Sequence, residues 1–198
     1  IASNHLSFSD SVFMPLVVPR KVTFLAKSEY FTSPGLKGFI KKYTFKALGQ
    51  VPVDRSGGRR SEAALLTGLQ LLSEGACIGI YPEGTRSPDG KLYKGRTGIA
   101  RMALESGAPV IPVAMLNTAE IQPTGQVVPK VRRVEMIFAE PMYFTGDSTD
   151  PAVLRDATNK IMDVIAAMSG QIYVPNMYAS EAKDAINKSK AENAGDFE

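Results

Sequence analysis

Short β-rich runs and helical stretches alternate along this chain of 198 residues. Apolar and β-branched runs predict strands at residues 21–27, 50–54, 77–81, 110–116 and 134–139. Apolar side chains that recur at helical spacing predict helices at residues 34–47, 59–74, 97–106 and 151–168. A glycine lies at or near the end of the last three helices, as is typical of helix C-termini.

Strands that alternate with helices favour an α/β fold. We predict a single domain, residues 1–178, with a mostly parallel central sheet flanked by helices. A polar tail follows at residues 179–198, and its part from Ser180 onward forms either a solvated helix or a loose tail. In folds of this class, ligands bind at the carboxyl ends of the strands, where loops lead into helices.

The first third of the chain is strongly basic, although the net charge of the whole chain is only +3. Up to residue 60 it contains ten Lys and Arg residues, against Asp10, Glu29 and Asp54. This asymmetry indicates an anionic partner, such as nucleic acid, anionic lipid or a phosphorylated substrate, or else a solvated basic surface. No motif combines basic with stacking aromatic residues, which argues against nucleic acid. The single cysteine excludes an internal disulfide.

The single histidine, His5, lies five residues before Asp10. Within one regular helix their side chains would point about 140° apart. They meet if His5 lies in the loop before a helix and Asp10 in its first turn, with Ser7 or Ser9 as the cap. A carboxylate bonded to one imidazole nitrogen leaves the other nitrogen as a general base. The alternative is a capping histidine beside an unrelated helix-terminal aspartate.

A second polar cluster directly follows the predicted strand at 77–81. Arg86 can hold a phosphate through two parallel hydrogen bonds, and Gly84 allows the backbone to approach a ligand closely. Thr85 adds a hydroxyl donor. Glu83 would accept a hydrogen bond from a glycerol hydroxyl or hold Arg86 in place. The alternative is a surface turn with an ordinary Glu–Arg pair.

Three further features are weaker when each is taken alone. The segment Lys94-Gly95-Arg96 opens the next predicted helix, a position that favours a bound anion. Arg55 follows the strand at 50–54 and is a candidate second phosphate ligand. The run at 110–114 is consistent with a buried strand that has only a packing role.

Together and in this order, these segments resemble the 1-acylglycerol-3-phosphate acyltransferase family of glycerolipid acyltransferases. His5 and Asp10 match the family's His-four residues-Asp motif, and Asn4 stands in the usual preceding place. The other matching segments are 49–55, with Arg55 at the basic position, 83–87, 94–95 and 110–112. The resemblance runs from Asn4 to about Met115.

This resemblance implies transfer of a fatty acyl group from acyl-CoA or an acyl-carrier protein to the free hydroxyl of 1-acylglycerol 3-phosphate, giving phosphatidic acid. His5 would deprotonate the hydroxyl, and Asp10 would orient His5. No metal or organic cofactor is expected. The implied substrate-binding residues are Arg55, Glu83, Gly84, Thr85, Arg86 and Lys94.

The expected partners are a lysophospholipid, an acyl thioester donor and a membrane surface, without nucleic acid. We expect the cytoplasmic face of a membrane, with peripheral attachment or an anchor in a segment missing from this chain. The predicted helix at 34–47 carries Lys37, Lys41, Lys42 and Lys46. It is either a membrane-surface helix or an ordinary helix packed on the sheet.

Two alternatives remain open on the sequence. The first is an acyltransferase that acts on glycerol 3-phosphate, another lysophospholipid or a glycolipid. The second is a catalytically silent lipid- or phosphate-binding module, which a large distance between His5 and Asp10 would favour. A metal-dependent hydrolase has too few candidate ligands, because the chain contains one histidine.

Overall fold

The computed structural model describes residues 1–27, 49–53, 60–121 and 132–195. Its strands are β1 (Ala2–Ser3), β2 (Val22–Lys27), β3 (Gln50–Val53), β4 (Cys77–Gly79), β5 (Leu92–Tyr93), β6 (Pro112–Leu116), β7 (Glu135–Phe138) and β8 (Tyr173–Val174). Its helices are α1 (Asp10–Val17), α2 (Arg60–Ser73), α3 (Gly98–Ser106), α4 (Thr118–Ile121), α5 (Pro151–Ser169) and α6 (Ala179–Gly195). The predicted helix at 34–47 and Arg55 lie outside these residues.

The predicted strands and the three predicted helices that fall on described residues are confirmed, within two residues at each end. Helix α5 shows the local causes clearly. Pro151 occupies its first turn, and the Asp150 side chain caps it by accepting the N–H of Ala152 at 2.8 Å. Gly170 ends α5 with a φ of 65°, a left-handed conformation that glycine adopts without strain.

The strands form a mostly parallel sheet. β3, β2 and β4 pair in parallel, β1 pairs in parallel with β6, and β7 pairs antiparallel with β6. The two groups join where the N–H of Ser3 donates to the carbonyl of Ile80 at 3.0 Å, next to a parallel bridge between Ala2 and Ile80. The order is therefore β3-β2-β4-β1-β6-β7, and the predicted α/β fold is confirmed.

The strand β1, which the sequence did not predict, lies in the middle of this order. Its two residues are fully buried between β4 and β6. Two residues are too few for an alternating pattern, so a search for periodicity misses them. Because β1 runs parallel to its neighbours, the loop after it leaves the sheet at the edge where ligands bind in α/β folds.

Two buried apolar clusters hold the helices on the sheet. The first joins Ala2 and Val110 of the sheet region to α3 and α5, through Ile99, Ala103, Ile161, Met162 and Ile165. The second joins Met14 of α1 to β2 and β6, through Val22, Phe24, Val113 and Met115. The start of α1 is thereby fixed against the sheet directly beyond the β1 loop.

Residues 180–195, the described part of the segment from Ser180 onward, form a helix rather than a loose tail. The first turns of α6 pack Ala179 and Ala182 against Tyr93 of β5, and β5 pairs with β8. The remaining described surface of α6 is mainly polar and exposed. The division into a domain of residues 1–178 and a tail of 179–198 stays a prediction. Among the described residues, no helix is long and apolar enough to cross a bilayer.

Candidate active site

His5 and Asp10 form a hydrogen-bonded pair, called the dyad below. The distance between His5 Nδ1 and Asp10 Oδ2 is 2.8 Å. His5 lies in the loop after β1, and Asp10 is the first residue of α1. The predicted contact is therefore confirmed, and it has the expected geometry of a loop histidine and a first-turn aspartate. Asp10 is fully buried, whereas the His5 side chain keeps 16% of its surface exposed.

The surroundings of Asp10 determine which imidazole nitrogen carries the proton. Asp10 Oδ2 also accepts the backbone N–H groups of Leu6 and Ser7, both at 2.8 Å. An ionised carboxylate only accepts hydrogen bonds, so His5 Nδ1 must be the donor in the third bond. In the neutral ring, Nε2 then carries a lone pair. Within the described part of the chain, no group hydrogen-bonds Nε2, so it is available to take a proton from a substrate.

The N-terminus of α1 differs from the expected serine cap. Ser9 occupies the cap position, but its side chain makes no capping hydrogen bond. Its hydroxyl instead lies 3.0 Å from the Ser7 hydroxyl. The Asp10 carboxylate accepts backbone N–H groups of the preceding loop, so it fixes that loop on the start of α1 instead of capping the helix. An acidic side chain is favoured at this helix end by the helix dipole.

The His5 ring is supported by a stack of aromatic rings. The Tyr81 ring lies parallel to it with centroids 3.9 Å apart, and Phe24 stacks on Tyr81 at 5.4 Å. A Cβ atom at Gly79 would lie 2.4 Å from the Phe24 ring, so glycine is required for Phe24 to lie there. Burial raises the pKa of Tyr81 far above its ordinary value, and its hydroxyl, which stays neutral, bonds Ser11. The stack fixes the plane of the imidazole.

Glu83 is fully buried and bonds backbone groups on both sides of the site. Its Oε2 accepts the N–H of His5 at 3.2 Å, and its Oε1 accepts the N–H of Tyr93 at 2.9 Å. Burial raises the pKa of Glu83 to about 7, although the two backbone donors act in the opposite direction. Both oxygens accept backbone N–H groups, and among the described residues no hydrogen bond or ion pair joins Glu83 to Arg86, which was one of its two predicted partners.

The pKa of Glu83 predicts a pH dependence of folding stability. The ordinary value is 4.5, so between pH 4.5 and about 7 the folded chain keeps a proton that the unfolded chain releases. The free energy of unfolding therefore falls as pH rises through this interval, by about 1.4 kcal/mol for each unit of the shift. We expect urea unfolding at about pH 5 and pH 7.5 to show this loss in the wild-type chain but not in Glu83→Gln. A difference between the two chains that did not change with pH would contradict the prediction.

Residues 83–87, called the 83–87 loop, adjoin the dyad. The N–H of Ser87 donates to the carbonyl of His5 at 2.8 Å. Gly84 turns the loop with a φ of 76°. Thr85 is half-buried, and Arg86 is exposed. The loop therefore holds the backbone of His5 twice: Glu83 accepts its N–H, and Ser87 donates to its carbonyl. Arg86 lies between these two residues, beside the dyad.

A second group of cations lies on the other side of this loop. Arg96 packs so closely on Gly84 that a Cβ there would lie 2.8 Å from Arg96 Nε. The Arg96 guanidinium and the Lys94 ammonium lie 5.0 Å and 5.3 Å from the centre of the Tyr178 ring. The sequence placed Lys94 and Arg96 in one segment that favours an anion, with Lys94 as the expected binding residue, but it did not indicate Tyr178.

Asn4 is another residue whose role the sequence did not reveal. It is fully buried and bonds both the N–H and the carbonyl of Met115, at 2.7 Å and 3.0 Å. These bonds fix the residue before His5 to the end of β6. The sequence signal for a role of Asn4 was its position directly before the motif formed by His5 and Asp10. The run at 110–112 packs into the apolar clusters, in agreement with the packing interpretation.

The geometry supports proton abstraction by His5 close to a cationic loop. The free imidazole nitrogen can take the proton of a substrate hydroxyl. The arginine in the adjoining loop can bind an anionic group of the same substrate. Among the described residues, no group of three or more His, Cys, Asp or Glu side chains is placed to hold a metal ion.

Comparison with known proteins gives a family match over most of this site. Residues 1–116 match the family model described as Acyltransferase. The matched segment is more than half of the chain and contains both the dyad and the 83–87 loop.

The chain is also similar to individual proteins. It is 30% identical to the chloroplastic 1-acyl-sn-glycerol-3-phosphate acyltransferase BAT2 of Brassica napus, over 84% of this chain and 46% of that protein. It is 30% identical to the 1-acyl-sn-glycerol-3-phosphate acyltransferase of Bacillus subtilis, over 72% of this chain and 66% of that protein. The crystal structure of the 1-acyl-sn-glycerophosphate acyltransferase PlsC from Thermotoga maritima superposes with a TM-score of 0.63 at 25% identity, over 84% of this chain and 64% of that one. The chain thus spans about half the length of the plant relative and about two thirds of the two bacterial ones.

Proposed function

Because the chain belongs to the acyltransferase family, we propose that it transfers a fatty acyl group from a thioester donor to the free hydroxyl of 1-acylglycerol 3-phosphate. The donor is acyl-CoA or an acyl-carrier protein, and the product is phosphatidic acid. The relatives named for this reaction support the acceptor. The geometry of the dyad supports the general-base mechanism.

One observation carries the proposal. The 83–87 loop bonds both the N–H and the carbonyl of His5, so the base and Arg86 belong to one hydrogen-bonded unit. An acceptor with a hydroxyl and a phosphate separated by a few bonds needs such a pairing. The hydroxyl must reach His5 while the phosphate stays bound to a cation.

The proposed reaction needs no covalent enzyme intermediate. His5 Nε2 removes the proton of the acceptor hydroxyl, and the oxygen attacks the carbonyl carbon of the thioester. Asp10 stabilises the imidazolium through Nδ1, since its carboxylate is already oriented by two backbone donors. The carbon–sulfur bond then breaks, and the departing sulfur takes the proton from His5. The products are the new ester and the free thiol.

Arg86 is proposed to hold the acceptor phosphate, together with Lys94 and with Arg55, which lies outside the described residues. Gly84 and Thr85 would line the same binding site. Glu83 contributes by fixing the backbone of His5 through Oε2 and that of Tyr93 through Oε1. No metal or organic cofactor takes part in the proposed steps.

The direct test is the release of free CoA from an acyl-CoA by the purified chain. We expect release to depend on added lysophosphatidic acid, and phosphatidic acid to accumulate in equal amount. Glycerol 3-phosphate, other lysophospholipids and a glycolipid form the comparison panel, which identifies the alternative acceptor if one of them is preferred. Acyl-carrier protein as the donor covers the second thioester. No transfer with any pair would favour a silent binding module, although the 2.8 Å dyad does not meet the condition that would favour such a module.

We also propose that the protein works at a membrane surface, on its cytoplasmic face. From the sequence, the lysines of the predicted helix at 34–47 favour attachment to a membrane surface. The described residues add an apolar surface on and beside α1, where Phe8, Leu16 and Val17 are 42%, 73% and 56% exposed. Arg20 and Lys21 follow directly and are exposed. Apolar side chains beside basic ones match an anionic bilayer.

This surface gives a prediction for vesicle binding. Changing Leu16 and Val17 to serine should lower co-sedimentation with anionic vesicles about tenfold, because each exposed side chain then loses apolar contact with lipid. Activity on a short-chain soluble acceptor should remain. Leu66→Ser is the control, since Leu66 is 61% exposed and lies on a different helix, α2. Equal co-sedimentation of the two variants would place the membrane contact elsewhere in the protein.

A further inference from the structure

Three cationic side chains gather around the Tyr178 ring. Lys94 and Arg96 lie over it, and Arg155 of α5 directs Nη2 to its hydroxyl at 3.4 Å. Arg155 also donates from Nη1 to the carbonyl of Gly95 at 2.8 Å, which links α5 to the segment that carries Lys94 and Arg96. We call Lys94, Arg96, Arg155 and Tyr178 the Tyr178 cluster.

The charges of this cluster are not balanced by nearby acids. Among the described residues, none of the three cations lies within 4.0 Å of a carboxylate. Glu181 is close, but it accepts the backbone N–H of Tyr178 and is exposed. Like charges held together repel one another, and an aromatic ring attracts cations without neutralising them. A bound anion would therefore stabilise the arrangement.

The cluster also adjoins the candidate active site. The Arg96 side chain lies against Gly84, and the Arg96 backbone N–H donates to the carbonyl of Pro82 at 2.8 Å. Those two residues flank Glu83, which bonds the backbone of His5. An anion bound at the cluster would thus lie next to the 83–87 loop, on the face where Arg96 contacts Gly84.

We infer that the Tyr178 cluster is a phosphate-binding site, in which Arg96 and Arg155 are binding residues beside Lys94. Guanidinium groups hold phosphate oxygens through paired hydrogen bonds, and each of these two has donors beyond those engaged in the fold. The inference rests on the proposed function only for the choice of phosphate-bearing molecules. These are the acceptor, which carries a phosphomonoester, and a CoA donor, which carries a diphosphate and a phosphomonoester.

Equilibrium binding tests the inference without requiring acyl transfer. Glycerol 3-phosphate and CoA are titrated by calorimetry into the wild-type chain and into Arg96→Gln, Arg155→Gln and Arg101→Gln. Arg101 is the control, because it lies exposed on α3 and pairs with Glu105. We expect the Arg96 and Arg155 variants to bind one of the two probes on the order of tenfold more weakly, with no change for Arg101→Gln. The probe that is affected identifies the source of the phosphate.

Two outcomes would overturn the inference. One is that the wild-type chain binds neither probe, and the other is that both affinities stay within twofold of wild type in the Arg96 and Arg155 variants. Arg96→Lys separates loss of charge from loss of folding, since it keeps the charge and should lose less affinity than Arg96→Gln. Equal losses in these two variants would show that the paired hydrogen bonds of the guanidinium, rather than its charge alone, hold the phosphate. Failure of acyl transfer with intact probe binding would count against the proposed function and leave the phosphate site standing.

Discussion

Replacing His5 by alanine should lower acyl-transfer turnover by roughly 10²–10⁴-fold, the usual loss when a general base is removed. Since the chain contains one histidine, no other imidazole can substitute for it. The backbone bonds that hold this loop use the N–H and the carbonyl of residue 5, and alanine keeps both. The folded structure should therefore survive, and turnover of purified His5→Ala at saturating substrates is the measurement.

Asp10→Asn should cause a loss of similar size for a different reason. An amide keeps an oxygen for the three donors that converge on Oδ2, and its NH2 group takes the place of Oδ1, which has no hydrogen-bond partner among the described residues. The amide carries no charge, however, so it no longer stabilises the imidazolium that forms when Nε2 takes the proton. Substrate binding should change little in both variants. Near-normal turnover in folded His5→Ala would exclude the general-base mechanism.

The second large effect is expected at Arg86. A charged hydrogen bond typically contributes about 1.5–3 kcal/mol, so Arg86→Ala should weaken acceptor use by roughly 10–150-fold. The change should appear in kcat/KM for lysophosphatidic acid, whereas the apparent affinity for acyl-CoA should move much less. Arg86 is exposed, and among the described residues it has no ion-pair partner, so its loss should not affect stability.

Arg20→Ala provides a comparison for Arg86. Arg20 is also exposed, and its side chain donates to the carbonyl of Gly75 rather than to the dyad region. Acceptor use should be unchanged in this variant when a soluble short-chain acceptor is supplied. If Arg86→Ala lost affinity for the donor and kept it for the acceptor, Arg86 would belong to the thioester site.

Residues close together in sequence account for most of what could be predicted. The strands and helices follow from local periodicity, and the parallel sheet follows from their alternation. The dyad contact was predictable because His5 and Asp10 are five residues apart and a helix start fixes their relation. The 83–87 loop was recognised because its charged and glycine residues are contiguous.

Contacts between distant segments could not be predicted in the same way. Glu83 was expected to face substrate or Arg86, but it bonds His5 across 78 positions of sequence. Arg155 meets the Tyr178 cluster only because α5 passes beside it. No local pattern encodes such pairings, since they depend on how the sheet places its strands.

The central position of β1 also sets when the dyad can form during protein synthesis. Asn4 is tied to Met115, which lies 111 positions later, and β1 is enclosed between β4 and β6. Closing such a long loop is entropically costly and comes late in folding. A chain that leaves the ribosome N-terminus first carries His5 without this support until β6 has emerged. Nascent chains that stop before Pro112, the first residue of β6, should therefore lack an assembled dyad, although they already contain both of its residues.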